Sequence, residues 1–180
     1  AREGGRPPAY VSTIDSFHAA QLRAAAPEGP ILIHGGGNIG DIWPAHQAFR
    51  HRVLAEFKDR PVIQLPQSIH FGDADALRET ARTIAAHGDF TLMVRDQESF
   101  DLARRAFDCA VVLCPDMAFH IGPVARPRRP RVDQLYLLRT DKERVVAAGE
   151  LHDQPGRIAV RDWAKGDRLG GWKSTALRGA

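Results

Sequence analysis

The sequence predicts an α/β protein built on a parallel, doubly wound, Rossmann-like sheet. The first observation is a set of five short, nearly unbroken apolar runs, each bounded by Gly, Pro or Asp. The second is the amphipathic pattern between the runs, where apolar residues recur every three or four positions. Runs that start about 20–30 residues apart are typical of βα units. Unbroken apolarity also favours strands that are buried on both faces.

The predicted elements follow in chain order. A first helix is expected over residues 12–26, with Phe17 and Leu22 pointing inward. The predicted strands span residues 31–33, 62–65, 90–94, 110–113 and 135–138. The helices between them have apolar stripes at helical spacing: Phe49, Val53 and Phe57; Leu77, Ala81 and Ile84; Phe100, Ala103 and Phe107. A further helix is predicted from Thr140, the first residue of a capping box, and one more strand within residues 156–163.

Length and composition predict one globular core followed by a shorter segment. The chain has 180 residues, 43% hydrophobic and 26% charged, which excludes a disordered chain and a disulfide scaffold. We predict a Rossmann-like domain over residues 1–122 and a Pro/Arg linker over 123–133. Residues 134–180 are expected to begin a further βα segment that is incomplete. The arginines of the linker fit a solvated segment, or a patch for an anionic ligand or a membrane surface.

The cysteines and the hydropathy pattern lead us to expect a reducing, cytoplasmic location. Cys109 and Cys114 flank a predicted strand that would hold their Cα atoms about 16 Å apart, too far for a disulfide. No run approaches the roughly 18 apolar residues of a membrane-spanning helix, and residues 1–8 have no apolar signal region. The inner face of a membrane remains an alternative location.

A glycine-rich segment is the strongest local signal. Gly35, Gly36, Gly37 and Gly40 follow a predicted strand, and Pro44 then marks the start of a helix. Backbone N–H groups in such a segment can approach an anion closely, and a helix N-terminus adds partial positive charge. A tight turn without a ligand is the alternative. The spacing also matches the dinucleotide fingerprint, but the next strand ends without the acidic residue that would hold a ribose.

Five further polar positions are expected at the same edge of the sheet. Gln67, Ser68 and His70 follow the second predicted strand and suit a polyhydroxylated ligand. Arg95 follows the third strand, and its planar fork suits a carboxylate or phosphate. Asp116 follows the fourth strand and suits Arg95 or a sugar hydroxyl as its partner. Structural roles such as caps, turns and ion pairs are the alternative for each. His34 and His46 flank the glycine segment and are candidate acid–base groups or packed histidines.

The combination resembles the polysaccharide pyruvyl transferase family. The resemblance is carried by five segments in order: residues 33–44, 65–71, 94–99, 115–119 and 138–143. It implies transfer of the enolpyruvyl group of phosphoenolpyruvate onto two hydroxyls of a sugar, which forms a pyruvate ketal and releases phosphate. It also implies a glycosyltransferase-B-like fold of two Rossmann-type halves. This chain would supply most of the first half, whereas an Arg and a His of the second half assist donor binding and catalysis. We therefore expect a fragment or a truncated paralogue that is inactive alone.

The resemblance and the residue types together assign roles to the candidate positions. Catalysis is assigned to His46, His70 and Asp116. Donor binding is assigned to Gly35, Gly36, Gly37, Asn38 and Arg95. Acceptor binding is assigned to Gln67, Ser68, His70 and Asp41.

The expected partners are phosphoenolpyruvate and a sugar or lipid-linked oligosaccharide acceptor. Neither a metal site, nor a cofactor, nor a nucleic-acid partner is expected. Peripheral membrane association and a homo-oligomer are left open. Two alternative functions stand beside the transferase: a non-catalytic half-domain that binds an anion or glycan, and a nucleotide-sugar glycosyltransferase.

Overall fold

The computed structural model describes residues 7–125, 132–139 and 156–162, and the chain divides into two compact units, residues 1–122 and 123–180. The elements of the first unit are α1 (Ala19–Ala25), β1 (Ile31–Ile33), β2 (Gly36–Gly40), α2 (Pro44–Glu56), β3 (Val62–His70), α3 (Ala74–His87), β4 (Phe90–Val94), α4 (Gln97–Ala106), β5 (Ala110–Leu113) and a 3-10 helix (Met117–Ile121). The second unit contains β6 (Gln134–Leu138) and β7 (Ile158–Asp162).

The first unit is built on a five-stranded sheet in which every pairing is parallel. Its order is β1-β3-β4-β5, and β2 also pairs with β3. Strand β1 lies beside Val62–Gln64, and β2 lies beside the Gln67–His70 part of the same strand. The two short strands therefore flank β3 along most of its length. The predicted parallel α/β architecture is confirmed, and the described strands are added to the sheet in sequence order.

Two strand predictions need correction. The fifth strand of the main sheet is the glycine segment β2; residues 135–138 instead belong to β6, which pairs in parallel with β7 in the second unit. The second predicted strand, residues 62–65, extends to His70 as β3, because β2 provides a hydrogen-bonding partner there. The predicted strand within residues 156–163 is confirmed as β7.

The helix predictions differ mainly at the N-terminus of the chain. Helix α1 covers only Ala19–Ala25, so the prediction of a helix from residue 12 was wrong at its start. Two capped helix starts follow the physical rules for N-caps: Asp73 accepts from the backbone N–H of Asp75 before α3, and Asp96 accepts from that of Ser99 before α4. The capping box at residues 140–143 and the linker residues 126–131 lie outside the described residues.

The core lies between one face of the sheet and helices α2, α3 and α4. Val62, Leu92 and Val94 are fully buried and join one cluster with Leu54 of α2, Ile84 of α3 and Ala103 of α4. Strand residues that point to the opposite face are more exposed, for example Leu32 at 59% and Val112 at 41%. The prediction that the strands are buried on both faces is therefore wrong for the described residues. Helices α2, α3 and α4 cover one face of the sheet, and the strand residues on the opposite face are more exposed.

Within the described residues, no helix combines the length and the apolar character needed to cross a lipid bilayer.

Both cysteines are free and partly buried. Burial raises the pKa of the Cys109 thiol to about 11. A thiol with such a pKa holds its proton at neutral pH and is a poor nucleophile.

Candidate functional site

An open pocket of about 770 Å³ lies at the carboxyl edge of the main sheet. Its lining residues come from the end of β3, from the connections that follow β4 and β5, and from the 3-10 helix: Ser68, Arg95, Asp96, Pro115, Asp116 and Phe119. Ligands of parallel α/β sheets bind at this edge, because the loops that follow the strands meet there. Three of the residues assigned from sequence, Ser68, Arg95 and Asp116, therefore come together in one pocket.

Arg95 is the central side chain of this pocket. It directly follows β4, and its backbone N–H donates to the carbonyl oxygen of Gln67 at 3.1 Å. Its Nε donates to Ser68 Oγ at 2.8 Å, and its Nη1 donates to Asp116 Oδ2 at 2.5 Å. Among the described residues nothing accepts a hydrogen bond from Nη2, which lies 3.2 Å from where a Cβ on Gly37 would stand. The guanidinium thus links the end of β3 to the connection that follows β5, and it lies beside the glycine strand.

Two aspartates of the pocket are ionised at neutral pH. Hydrogen bonds from the backbone N–H of Ala118 and from the Arg95 side chain lower the pKa of Asp116, and the positive charge of Arg95 lowers it further. Burial raises the pKa of Asp96, but hydrogen bonds from Ser68 and Ser99 outweigh that effect and hold it below its ordinary value. Arg95 therefore lies beside two carboxylates.

Two glycines of the segment, Gly40 in β2 and Gly35 just before it, are required by close backbone contacts. Gly40 has φ +125°, and a Cβ there would stand 1.6 Å from the carbonyl oxygen of His70. A Cβ on Gly35 would stand 2.5 Å from the carbonyl oxygen of Pro66. These contacts let the glycine segment pair with β3 in spite of the irregular register between them. The glycines thus have a structural reason in addition to any role in donor binding.

Asn38 and Gln67, assigned to donor and acceptor binding, form a pair beneath the glycine strand. The backbone N–H of Asn38 donates to Gln67 Oε1 at 2.9 Å, and Gln67 Nε2 donates to Asn38 Oδ1 at 3.0 Å. Gln67 is fully buried and also donates to the carbonyl oxygen of His34 at 3.1 Å. The side chain of Gln67 therefore holds the segment around Asn38 against β3 from inside the protein.

The remaining assigned residues, Asp41, His46 and His70, are not among the six residues that line the pocket. Asp41 Oδ2 accepts from the backbone N–H groups of Gly72 and Asp73, each at 2.7 Å, and so fixes the turn before α3. His46 lies on the first turn of α2, where its ring packs edge-on against Trp43. His70 is exposed at the end of β3. The catalytic roles of His46 and His70 and the acceptor role of Asp41 stay predictions.

A group of buried polar residues below the site was not among the assigned residues. Gln47 and Arg50 of α2 bond to one another, and they bond in turn to Thr80 of α3 and Gln64 of β3. The sequence contains a signal for two of them, since Gln47, Arg50 and Leu54 lie three and four positions apart and share one helix face. Polar residues on an inward face indicate a buried hydrogen-bonded group.

Within residues 7–125, 132–139 and 156–162, no three His, Cys, Asp or Glu side chains gather into a group that could hold a metal ion.

The fold and the pocket define an α/β protein with an arginine-centred site at the carboxyl edge of a parallel sheet. Residues 10–172 match the family described as polysaccharide pyruvyl transferase, and the chain belongs to that family. The resemblance inferred from the five sequence segments is confirmed.

Three relatives illustrate the similarity. EpsO of Bacillus subtilis, named as a pyruvyl transferase, is 35% identical over 114 residues, which is 63% of this chain and 35% of that protein. Pyruvyl transferase 1 of Schizosaccharomyces pombe is 32% identical over 137 residues, 71% of this chain and 34% of the relative. General stress protein 30 of Bacillus subtilis is 33% identical over 139 residues, 75% of this chain and 38% of the relative. The chain spans little more than a third of the length of these curated relatives.

Proposed function

We propose that this chain supplies the donor-binding edge for transfer of the pyruvyl group of phosphoenolpyruvate onto two hydroxyls of a sugar. The observation that carries the proposal is Arg95, held in an open pocket by Ser68 and Asp116 with its Nη2 beside Gly37. Phosphoenolpyruvate carries a carboxylate and a phosphate, and a guanidinium binds either group with two parallel hydrogen bonds. Family membership supports the same reaction class.

The carboxylates of the pocket shape how the donor binds. Asp116 is paired with Arg95, and both of its oxygens accept hydrogen bonds, from Arg95 and from the N–H of Ala118. An anionic donor therefore adds to Arg95 through Nη2 or replaces Asp116 at Nη1. A displaced Asp116 would be ionised and would lie next to the donor, where it can accept a proton from a sugar hydroxyl.

The reaction balances without a cofactor. One proton is added to the methylene carbon of the donor, two sugar hydroxyls bond to the carbon that carried the phosphate, and the C–O bond to phosphate breaks. Each hydroxyl loses a proton; one offsets the proton placed on the methyl group, and the other leaves with phosphate. A histidine suits the proton transfer at neutral pH. His34, which immediately precedes the glycine segment, joins His46 and His70 as an acid–base candidate.

An exposed aromatic residue offers a surface for the acceptor. Phe119 lines the pocket and is 78% exposed. Ser68 lies on the same lining, and its hydroxyl donates to Asp96 Oδ2 at 2.7 Å. Sugar sites combine an aromatic ring with a few fixed polar groups. We therefore propose that the sugar of a free or lipid-linked oligosaccharide packs against Phe119.

Titration calorimetry of phosphoenolpyruvate against the 180-residue chain tests the donor site. We expect Arg95→Ala to weaken binding by about 1.5–3 kcal/mol, the range for a hydrogen bond to a charged group. Arg105→Ala is the matched control, because Arg105 lies in the last turn of α4 and is exposed. Inorganic phosphate and pyruvate, used as competitors, report which half of the donor contacts Arg95. Equal affinities of the parent and Arg95→Ala for phosphoenolpyruvate would refute the donor site.

A further inference from the structure

A buried cation, Arg50, lies beneath the glycine strand and is not among the residues that line the donor pocket. Arg50 is 2% exposed. Its Nε donates to Gln64 Oε1 at 2.8 Å, its Nη1 to Gln47 Oε1 at 2.6 Å and its Nη2 to Asn38 Oδ1 at 2.8 Å. All three acceptors are neutral amide oxygens, and no carboxylate of the described residues forms a salt bridge with Arg50. Burial lowers its pKa to about 10, so it remains protonated at neutral pH.

A buried charge without a counter-charge is costly. Removing an ionised group from water costs several kcal/mol even after relaxation, and neutral hydrogen-bond acceptors offset only part of that cost. A buried arginine of this kind is therefore a poor choice for stability alone. Its fork geometry, by contrast, can fix three acceptors at once, which a lysine ammonium on a flexible stem cannot do.

The acceptors of Arg50 lead directly to the pocket. Asn38 Oδ1 is shared with Gln67 Nε2 at 3.0 Å, and the carbonyl oxygen of Gln67 accepts from the backbone N–H of Arg95 at 3.1 Å. Gln47 Oε1 also accepts from the backbone N–H of Gly40 at 3.1 Å. Arg50 therefore anchors the glycine strand at Asn38 and, through Gln47, at Gly40, and it is linked to Arg95 through two amide side chains.

We propose that Arg50 is a positioning residue for the donor site: it holds β2 and Arg95 in the arrangement that binds phosphoenolpyruvate. The inference rests on the proposed function for its ligand. It acts through geometry, so the three hydrogen bonds of the guanidinium are required as well as its charge.

Arg60 provides a matched control. It is 5% exposed, and its acceptors among the described residues are all backbone carbonyl oxygens, those of Ala26, Glu28 and Gly29. Arg50→Lys and Arg60→Lys each keep the charge and lose the fork. Two quantities are measured in each full chain: hydrogen exchange of the Asn38 and Gly40 amides without ligand, and the Kd for phosphoenolpyruvate.

We expect Arg50→Lys to speed exchange at both amides by about tenfold or more and to raise the Kd by a similar factor. Arg60→Lys should leave the exchange rates and the Kd within about twofold of the parent, even if it lowers the melting temperature as much as Arg50→Lys does. Unchanged exchange in Arg50→Lys overturns the positioning role, and so does an equal loss of affinity in the two variants.

A parent chain that does not bind phosphoenolpyruvate overturns the proposed function, and the exchange data then decide separately whether Arg50 holds β2. If Arg50→Lys does not fold, Asn38→Ala serves in its place. It cuts the link from Arg50 to Gln67 and leaves the bonds to Gln47 and Gln64, so it should raise the Kd. Without ligand it should also speed exchange of the Arg95 amide, which the loss of a direct donor contact at Asn38 would not change. An unchanged Kd or an unchanged exchange rate in Asn38→Ala overturns the proposal.

Discussion

The amino edge of the main sheet, where its strands begin, and the carboxyl edge, where they end, are held by different kinds of contact. Each edge buries an arginine: Arg60 at the amino edge and Arg50 near the carboxyl edge. Arg60 bonds to three backbone carbonyl oxygens and lies 6.0 Å from the ring centre of Phe57, which packs with Phe17. The acceptors of Arg50 in the described part of the chain are all side-chain amides. Hydrogen bonds to backbone carbonyls and contacts between aromatic rings thus hold the amino edge. Hydrogen bonds between side chains hold the carboxyl edge beneath the open pocket.

This difference separates stability from function along the same strands. Backbone carbonyls and packed rings change little when a ligand binds, so the amino edge can serve as the rigid base of the fold. Hydrogen bonds between side-chain amides fix each residue relative to the next, so this network at the carboxyl edge can hold a charged group in a defined position. Substitutions at the amino edge should therefore change stability, and those at the carboxyl edge should change stability and binding together or binding alone.

The largest expected effect concerns turnover by the 180-residue chain alone. Its pocket is open, so water screens the contacts with the donor and makes them weaker than the same contacts in a closed site. An open site also leaves a reactive intermediate exposed to water. We expect no sugar-dependent release of phosphate from phosphoenolpyruvate with a panel of simple pyranosides. A colorimetric phosphate assay checks this, with a full-length relative as positive control; release at the relative's rate would contradict it.

The next effect compares two glycines with positive φ. Gly40→Ala should destabilise the fold by at least about 3 kcal/mol, because a Cβ there meets the carbonyl oxygen of His70 at 1.6 Å and φ is +125°. Gly88→Ala, in the left-handed cap after α3, should cost only about 1 kcal/mol, because no atom lies within 4 Å of its Cβ position. Urea unfolding measures both. Equal losses would show that β2 and β3 can separate at little cost.

The strands made of apolar residues were easier to predict from sequence than the glycine strand. Apolar runs and helical stripes identified β1, β4 and β5 with their observed bounds, and the aromatic residues of α2 were expected to point inward. Strand β2 was missed because four of its five residues are glycines or asparagine, which are depleted in strands and carry no alternation. Its partner in β3 contains Pro66, which suggested a loop.

The site was predicted in part for a related reason. Arg95 and Asp116 follow strands and Ser68 lies near the carboxyl end of β3, so topology alone brings them to one edge. Arg50 and Gln64 lie beneath the site. Their roles depend on which side-chain amides accept hydrogen bonds from the Arg50 guanidinium, and the residues involved lie on three elements, α2, β2 and β3. Residue spacing indicates a face of a helix or strand, but it does not specify such pairings.

A smaller effect separates binding from stability at the carboxyl edge. A Cβ on Gly37 would stand 3.2 Å from Arg95 Nη2, which must shift by a few tenths of an ångström. We expect Gly37→Ala to raise the Kd for phosphoenolpyruvate about fivefold, roughly 1 kcal/mol, with stability unchanged or slightly higher. Gly72→Ala is the control at the same edge, since its Cβ would meet Asp41 Oδ2 at an ordinary 3.6 Å. Calorimetry that finds the two variants equal would show that Arg95 tolerates the methyl group.

The smallest effect concerns acid, and it compares one aspartate from each edge. Asp59 pairs with Arg23 at the amino edge, and the hydrogen bond from Arg23 lowers its pKa to about 2. Asp96 is partly buried, which raises its pKa, but bonds from Ser68 and Ser99 lower it further than burial raises it. A carboxyl whose pKa is lower in the folded state adds stability above the unfolded value of about 3.9, and that stability is lost as pH falls through the folded value.

Urea unfolding between pH 5 and pH 2 should therefore show a flatter acid limb for Asp96→Asn than for the parent, and a smaller change for Asp59→Asn, at most about half as large. The reason is solvation: Arg23 and Asp59 are exposed, so water and ions screen their pair, whereas the hydrogen bonds of Asp96 cap α4 and hold Ser68. In 1 M NaCl the Debye length falls to about 3 Å, so the Asp59 effect should vanish while the Asp96 effect persists. A larger effect of Asp59→Asn at both salt concentrations would show that the amino edge, too, depends on charge.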